Sequence, residues 1–263
     1  MRILAIETAT PASSVAIGED GRLAAMAVSV NRRGHVGFLV PAIEYCFRQA
    51  GWRPGRLDAV AVDVGPGLFT GIRAGLASAQ GVAASVGARL MGICSLDALA
   101  FRAATGRRMI WPLVDVRRQQ VAVAQYRPVP GGVVRESEPE LTSFERLRAL
   151  LAAFPQESLV VGDWEAMPGL TDGLRQVRSG RPRYPAADVL LELAASAMVL
   201  ETADSRSGSG RIRHPPTDVL TGAGTALGQE IGMSEVRPLY LRESDAVINW
   251  ADYREELVWP EPE

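Results

Sequence analysis

Two acids stand where chemistry could be done. Glu7 follows the alternating run RILAI (Arg2–Ile6) and precedes Thr8-Ala9-Thr10-Pro11, and Asp115 ends PLVD and precedes Val116-Arg117-Arg118-Gln119. An acid at a strand tip, followed by a glycine-bearing turn, is how a hairpin brings backbone amides up to a phosphate. Neither turn here contains glycine, and Pro11 has no amide to donate. Two arginines in the second turn could hold a phosphate only through their side chains. Glu7, Thr8, Asp115 and Arg117 therefore form a degenerate cleft, expected to have lost or altered nucleotide binding, with the acids free to cap their own turns. A third stretch, GPGLFTGIRAGLASAQGVAASV (Gly65–Val86), reads as a glycine-punctuated turn opening a helix. Phosphate-binding sites begin this way, but the Walker type needs a lysine, and all 28 basic residues are arginine. A Walker-type loop, a Schiff-base enzyme and a lysine-dependent kinase are thereby excluded.

Other chemistries have weaker footholds. The only histidines, His35 and His214, stand near no second histidine or cysteine at ligand spacing, so a metal centre is not expected. His35 reads as a helix-start or interface residue. TGAGTALGQEIG (Thr221–Gly232) misses the G-x-G-x-x-G spacing by one residue and reads as linker. No serine sits in a G-x-S-x-G elbow. Cys46 and Cys94 lie in apolar surroundings and read as buried thiols.

The elements that must position these residues follow from periodicity. RILAI, SSVAI (Ser13–Ile17) and RLAAMAVSV, joined by an Asp20-Gly21 turn, predict a three-stranded meander. A broad apolar helix follows over Val36–Ala50, kinked or started by Pro41; then come the strand DAVAVDV (Asp58–Val64), the glycine turn and the small-residue helix. A short strand near Leu90 and a helix over Ser95–Ala104 complete the unit. The second half repeats the order: MIWPLVDV (Met109–Val116), QVAVAQY (Gln120–Tyr126), GGVVRE, a helix over Ser143–Ala153, SLVVG, and a helix over Ala186–Thr202. Aligning the halves sets Glu7 opposite Asp115. Two such units predict an α/β protein of the duplicated actin-like (ribonuclease-H-like) fold, with two mixed-sheet subdomains over 1–105 and 106–202. Residues 203–235, rich in Ser, Gly, Pro and Arg, read as a mobile linker before a C-terminal segment, 236–263.

The small-residue helix also carries a surface argument. At 100° per residue, Ile72, Leu76, Ala79, Ala83 and Val86 share the face that covers the sheet. The other face carries Ala74, Ala77, Ser78, Gly81 and Ser85, where water-facing positions ordinarily carry long polar residues. Glycine costs about 0.5–1 kcal/mol relative to alanine in a helix, so close approach of another backbone is the expected reason. With Arg73 on this helix, and His35, Phe38, Leu39, Ile43 and Phe47 on the first, these residues make the expected partner interface.

The net charge of −2 does not favour a chain that grips nucleic acid on its own, and no uncharged apolar run reaches membrane-spanning length. The start, MRILAIETAT, is unlike a secretion signal.

MRILAIETATPASSVAIG, GPGLFTGIRAGLASAQGVA, DVRRQQVAVAQY and PLYLR together resemble the bacterial TsaB family of tRNA threonylcarbamoyladenosine biosynthesis proteins, closely in the first half and more loosely in the second. The resemblance implies an actin-like fold and a cytoplasmic, non-catalytic subunit without cofactor or metal. It implies pairing with a metal-carrying TsaD-like transferase paralogue, joined by a TsaE-like ATPase. It further implies contact with tRNA through that complex, and a possible homodimer in isolation. The rivals are an ATPase or small-molecule kinase of the same superfold and an inactive peptidase-like homologue. Leu68 stands where the family usually has serine, Gln119 and Gln120 replace the usual glycine and acid of the second hairpin, and residues 203–235 exceed the family's usual length.

Overall fold

Alternation along the first strand sends Leu4 and Ile6 to one face and Ile3, Ala5 and Glu7 to the other. Each face demands a cover, and the chain supplies one for each. In the computed structural model, which describes residues 1–31, 34–206, 219–221 and 236–241, β1 (Arg2–Glu7), β2 (Ala12–Glu19) and β3 (Arg22–Val30) form the expected antiparallel meander. Its second turn places Asp20 at φ 50° and Gly21 at φ 75°, the left-handed pair that a two-residue hairpin requires. Helix α1 (His35–Ala50) starts before Pro41 and carries it internally. Strands β4 (Ala59–Gly65) and β5 (Arg89–Cys94) add parallel to β1, giving the order β3-β2-β1-β4-β5, with α2 (Phe69–Val86) between them in sequence. Helices α1 and α2 cover the Leu4/Ile6 face.

The second sheet is built on β6 (Met109–Asp115). Strands β11 (Ser158–Gly162) and β12 (Val177–Ser179) extend it in parallel on one side. On the other side, QVAVAQY divides into β7 (Gln120–Val123) and the start of β8 (Tyr126–Val129), both antiparallel to β6. Strand β10 (Glu140–Ser143) pairs with β7, and β9 (Gly132–Arg135) pairs with β8. Helix α4 (Phe144–Ala153) covers one face through Leu147 and Leu151. Strand β13 (Val219–Thr221) joins β9.

Packing crosses the division at 105/106 that chain order suggests. Helix α3 (Ser95–Ala103) precedes β6, yet Leu96, Leu99 and Ala100 pack on Ile110, Val114 and Tyr126 of the second sheet. Helix α5 (Ala187–Arg206) follows β12, yet Leu190, Leu193, Ala194 and Ala197 cover Ile3, Ala5, Ala59 and Ala61 of the first. Each half thus caps the other's open sheet face. Helix α5 also runs past residue 202, and β13 occupies part of the expected linker. The rest of that linker and of the C-terminal segment lies outside the described residues. Residues Val236–Leu241 bridge the halves: Val236 is buried in the first core, while Leu239 and Leu241 pack against the second. No helix among the described residues is long and apolar enough to cross a membrane. Cys46 and Cys94 are free and buried.

Candidate functional site

The first hairpin turn, Glu7–Pro11, is wholly buried. Helix α2 roofs it, and the glycines of its amino-terminal stretch make the contact possible. A methyl group at Gly71 would run into the Thr8 carbonyl oxygen, and one at Gly75 into Thr8 Oγ1. Thr8 Oγ1 donates to the Gly71 carbonyl at 2.8 Å, and Leu68 N donates to Ala9 O at 2.6 Å. These glycines therefore serve a contact within the chain. Beneath the same turn of α2, His35 Nδ1 shares a 2.6 Å hydrogen bond with Ser13 Oγ, and burial lowers its pKa.

Sequence reading missed the partner of Glu7. Ile6 pairs with Val62 in the parallel register of β1 and β4, so Glu7 and Asp63 follow side by side. Glu7 Oε1 accepts from Thr10 N and Oγ1, each at 3.3 Å, while Asp63 Oδ1 accepts from Ser95 Oγ at 2.6 Å and Gly65 N at 2.8 Å. Glu7 Oε2 and Asp63 Oδ2 are buried without a hydrogen-bond partner. Burial first, and then the neighbouring Asp63 charge, push Glu7 well above the usual carboxylate range. Burial likewise pushes Asp63 up to about 7. Burial side by side favours the protonated form of both carboxyls.

The second half repeats the placement and changes the chemistry. Asp115 ends β6 and Asp163 follows β11, whose Gly162 pairs with Leu113. Asp115 is half-buried and caps its own turn, Oδ1 accepting from Arg117 N at 2.8 Å. Arg117 is exposed. Asp163 is buried and paired through Oδ1 with Arg183 at 3.2 Å, leaving Oδ2 unpartnered. Arg117, Arg118 and Gln119 all adopt left-handed backbone, at φ 71°, 55° and 57°. Between the halves, Thr10, Pro11, Asp115, Asp163 and Arg183 line a cavity of about 10 Å³, room for about one water molecule. Of the four expected cleft residues only Asp115 lines this cavity; Glu7, Thr8 and Arg117 stand outside its lining. Among the described residues, no group of three or more His, Cys, Asp or Glu side chains could hold a metal ion.

The expected partner interface divides. His35, Leu39 and Phe47 are buried beneath the chain's own α1, so they support that helix and cannot meet a partner directly. A helix apolar around most of its girth hides which side faces inward. Phe38, Ile43, Ala74 and Ser78 are half-buried, whereas Arg73, Ala77, Gly81 and Ser85 are exposed. Sequence reading missed Val36 and Val40, which are 71% and 68% exposed on α1. Their apolar character was visible, but not their outward direction. A methyl group at Gly81 would meet nothing within 4 Å, in contrast to Gly71 and Gly75.

The model of the TsaD family, tRNA N6-adenosine threonylcarbamoyltransferase, matches residues 29–162. The chain is 32% identical over 200 residues to the tRNA threonylcarbamoyladenosine biosynthesis protein TsaB of Escherichia coli K12, covering 74% of this chain and 86% of that one. It is 29% identical over 143 residues to TsaB of Bacillus subtilis 168, covering 53% and 61%. A solved structure from Pseudomonas aeruginosa, described as an uncharacterized protein with similarity to peptidase YeaZ, aligns with TM-score 0.66 at 25% identity, covering 92% of this chain and 99% of that one. The two-subdomain architecture is the actin-like fold.

Proposed function

The chain belongs to the TsaB family of tRNA threonylcarbamoyladenosine biosynthesis proteins, and on that premise we propose that it is a non-catalytic subunit of the machinery that makes this modification. In this reading it pairs in the cytoplasm with a TsaD-type transferase and activates it, with a TsaE-type ATPase joining the assembly. It meets tRNA through the complex. The outward face of α1 and α2 is the docking surface, and a homodimer through the same face is its form without the partner.

The observation that carries this reading is the contrast along α2. Gly71 and Gly75 are required by Thr8, but nothing among the described residues requires a glycine at the exposed Gly81. An alanine there would favour the free helix by about 0.5–1 kcal/mol. A residue that costs the isolated protein stability, beside exposed Ala77 and Ser85 and on the same side of the sheet as exposed Val36 and Val40, fits close approach of another backbone. A standard interface would bury about 1,200–2,000 Å² in total.

Ser78→Arg tests the surface. The variant should keep the melting temperature and circular dichroism of the free protein, yet lose binding to the purified TsaD-type paralogue from the same genome in isothermal titration. Unfolding of the free variant, or undiminished affinity, would overturn the assignment.

A further inference from the structure

Arg73 is the only charged residue of α2, and the structure immobilises it without an ion pair to any described residue. Its guanidinium carbon lies 3.6 Å from the centroid of the Phe69 ring and 5.9 Å from that of Tyr240. Nε donates to the Tyr240 hydroxyl at 3.0 Å. Tyr240 is fixed in turn. Leu239 N donates to Val64 O at 2.8 Å, Tyr240 N donates to Pro238 O at 3.1 Å, and Val236 is buried in the first core. GIR in the glycine helix and PLYLR near the end of the chain thus meet at one side chain. Of the five N–H donors of a guanidinium, only the one on Nε has a partner among the described residues, and no carboxylate lies within ion-pair distance.

We infer that Arg73 is the charged anchor of the α1–α2 surface and that it receives a carboxylate from an aspartate or glutamate of the partner protein, an inference that rests on the docking surface proposed above. Stacking on Phe69 and the bond to Tyr240 hold the guanidinium in one place, so little side-chain freedom remains to be lost on binding. The free Nη edge matches a carboxylate in two-point geometry. Arginine and tyrosine are the side chains on which interface energy concentrates. An RNA phosphate is the less suited occupant. Arg73 stands alone among uncharged small residues on a chain of net charge −2, whereas nucleic-acid sites gather several basic side chains.

The test uses the full chain and the purified full-length TsaD-type paralogue from the same genome. Arg73→Glu should weaken the complex about a hundredfold or more, and Arg73→Ala about thirtyfold. Arg73→Lys should recover only part of the loss, because a lysine cannot supply the two-point contact. Exchanging one acidic residue on the partner for arginine should restore binding to Arg73→Glu while weakening the wild-type complex. Ser78→Arg is measured in parallel. If it abolishes binding while Arg73→Glu stays within twofold of wild type, the anchor is wrong and the surface stands. If Ser78→Arg has no effect, the surface itself is wrong. If no acidic residue of the partner rescues Arg73→Glu and the variant loses affinity for tRNA added alone, the ligand is phosphate and the carboxylate assignment falls.

Discussion

The two hairpins that open the two halves occupy equivalent places and have opposite surroundings. The first, Glu7–Pro11, is buried under α2 and sets Glu7 beside Asp63 of β4, a pair of protonatable acids. The second, Asp115–Gln120, has no helix packed over it among the described residues; its turn residues Arg117, Arg118 and Gln119 are exposed in left-handed backbone. The same place in the fold is a packing joint in one half and a strained surface turn in the other. What separates them is whether a neighbour can approach closely enough to bury the turn. In the first half Gly71 and Gly75 permit it.

Breaking the joint should have the largest effect. Gly71→Ala adds a methyl group against the Thr8 carbonyl, a backbone atom held by β1 and β2. Alanine's gain in helix propensity, about 1 kcal/mol, is smaller than the overpacking cost. The variant should lose about 1–2 kcal/mol in urea unfolding. Wild-type stability would mean that α2 does not press on the turn, and the contrast between the hairpins would vanish.

The acids under the joint sharpen the comparison next. Asp63 titrates at about 7 in the folded chain and at about 3.9 unfolded. A raised carboxylate pKa means that the folded state binds more protons between these values. Its favourable contribution is therefore full below pH about 4 and lost as pH rises through about 7. Asp63→Asn is permanently neutral, and its amide oxygen can still accept from Ser95 Oγ and Gly65 N. Its stability relative to wild type should rise between pH 4 and pH 8. Urea unfolding at both ends of that range measures the difference, and a flat one would mean that Asp63 is ionised in the fold.

The reach of the sequence ends where a requirement becomes non-local. The inward face of α2, with Ile72, Leu76, Ala79 and Ala83 buried, is a matter of 3.6-residue periodicity and was legible. So were the meander and the two acids at strand tips. Asp63 and Asp163 also stand near strand ends, two residues before Gly65 and directly after Gly162, a signal that was present and unused. Recognising them needs the pairing of β1 with β4 and of β6 with β11, which no local window contains. The demand for glycine at Gly71 likewise comes from Thr8, on another strand. The exchange of α3 and α5 between the sheets is also invisible to chain order, because either sheet face offers the same apolar surface to a helix.

The smallest effect belongs to the exposed hairpin, and it runs in the stabilising direction. Gln119 sits at φ 57°, where a side chain crowds the following carbonyl at a cost of about 1–2 kcal/mol. The resemblance places glycine there in other members of the family, and glycine adopts this backbone without that crowding. Glycine also gives the unfolded chain more freedom to lose, which returns about 0.5–1 kcal/mol of the gain. The Gln119 side chain is exposed, so little packing is lost with it. Gln119→Gly should therefore stabilise the protein by about 0.5–1 kcal/mol, raising the melting temperature by about 1–3 °C. Calorimetry on the two proteins at one pH resolves a shift of that size. A lower melting temperature would mean that the side chain stabilises the turn more than the left-handed backbone strains it. The second hairpin would then be a built structure of its own rather than a strained, exposed counterpart of the first.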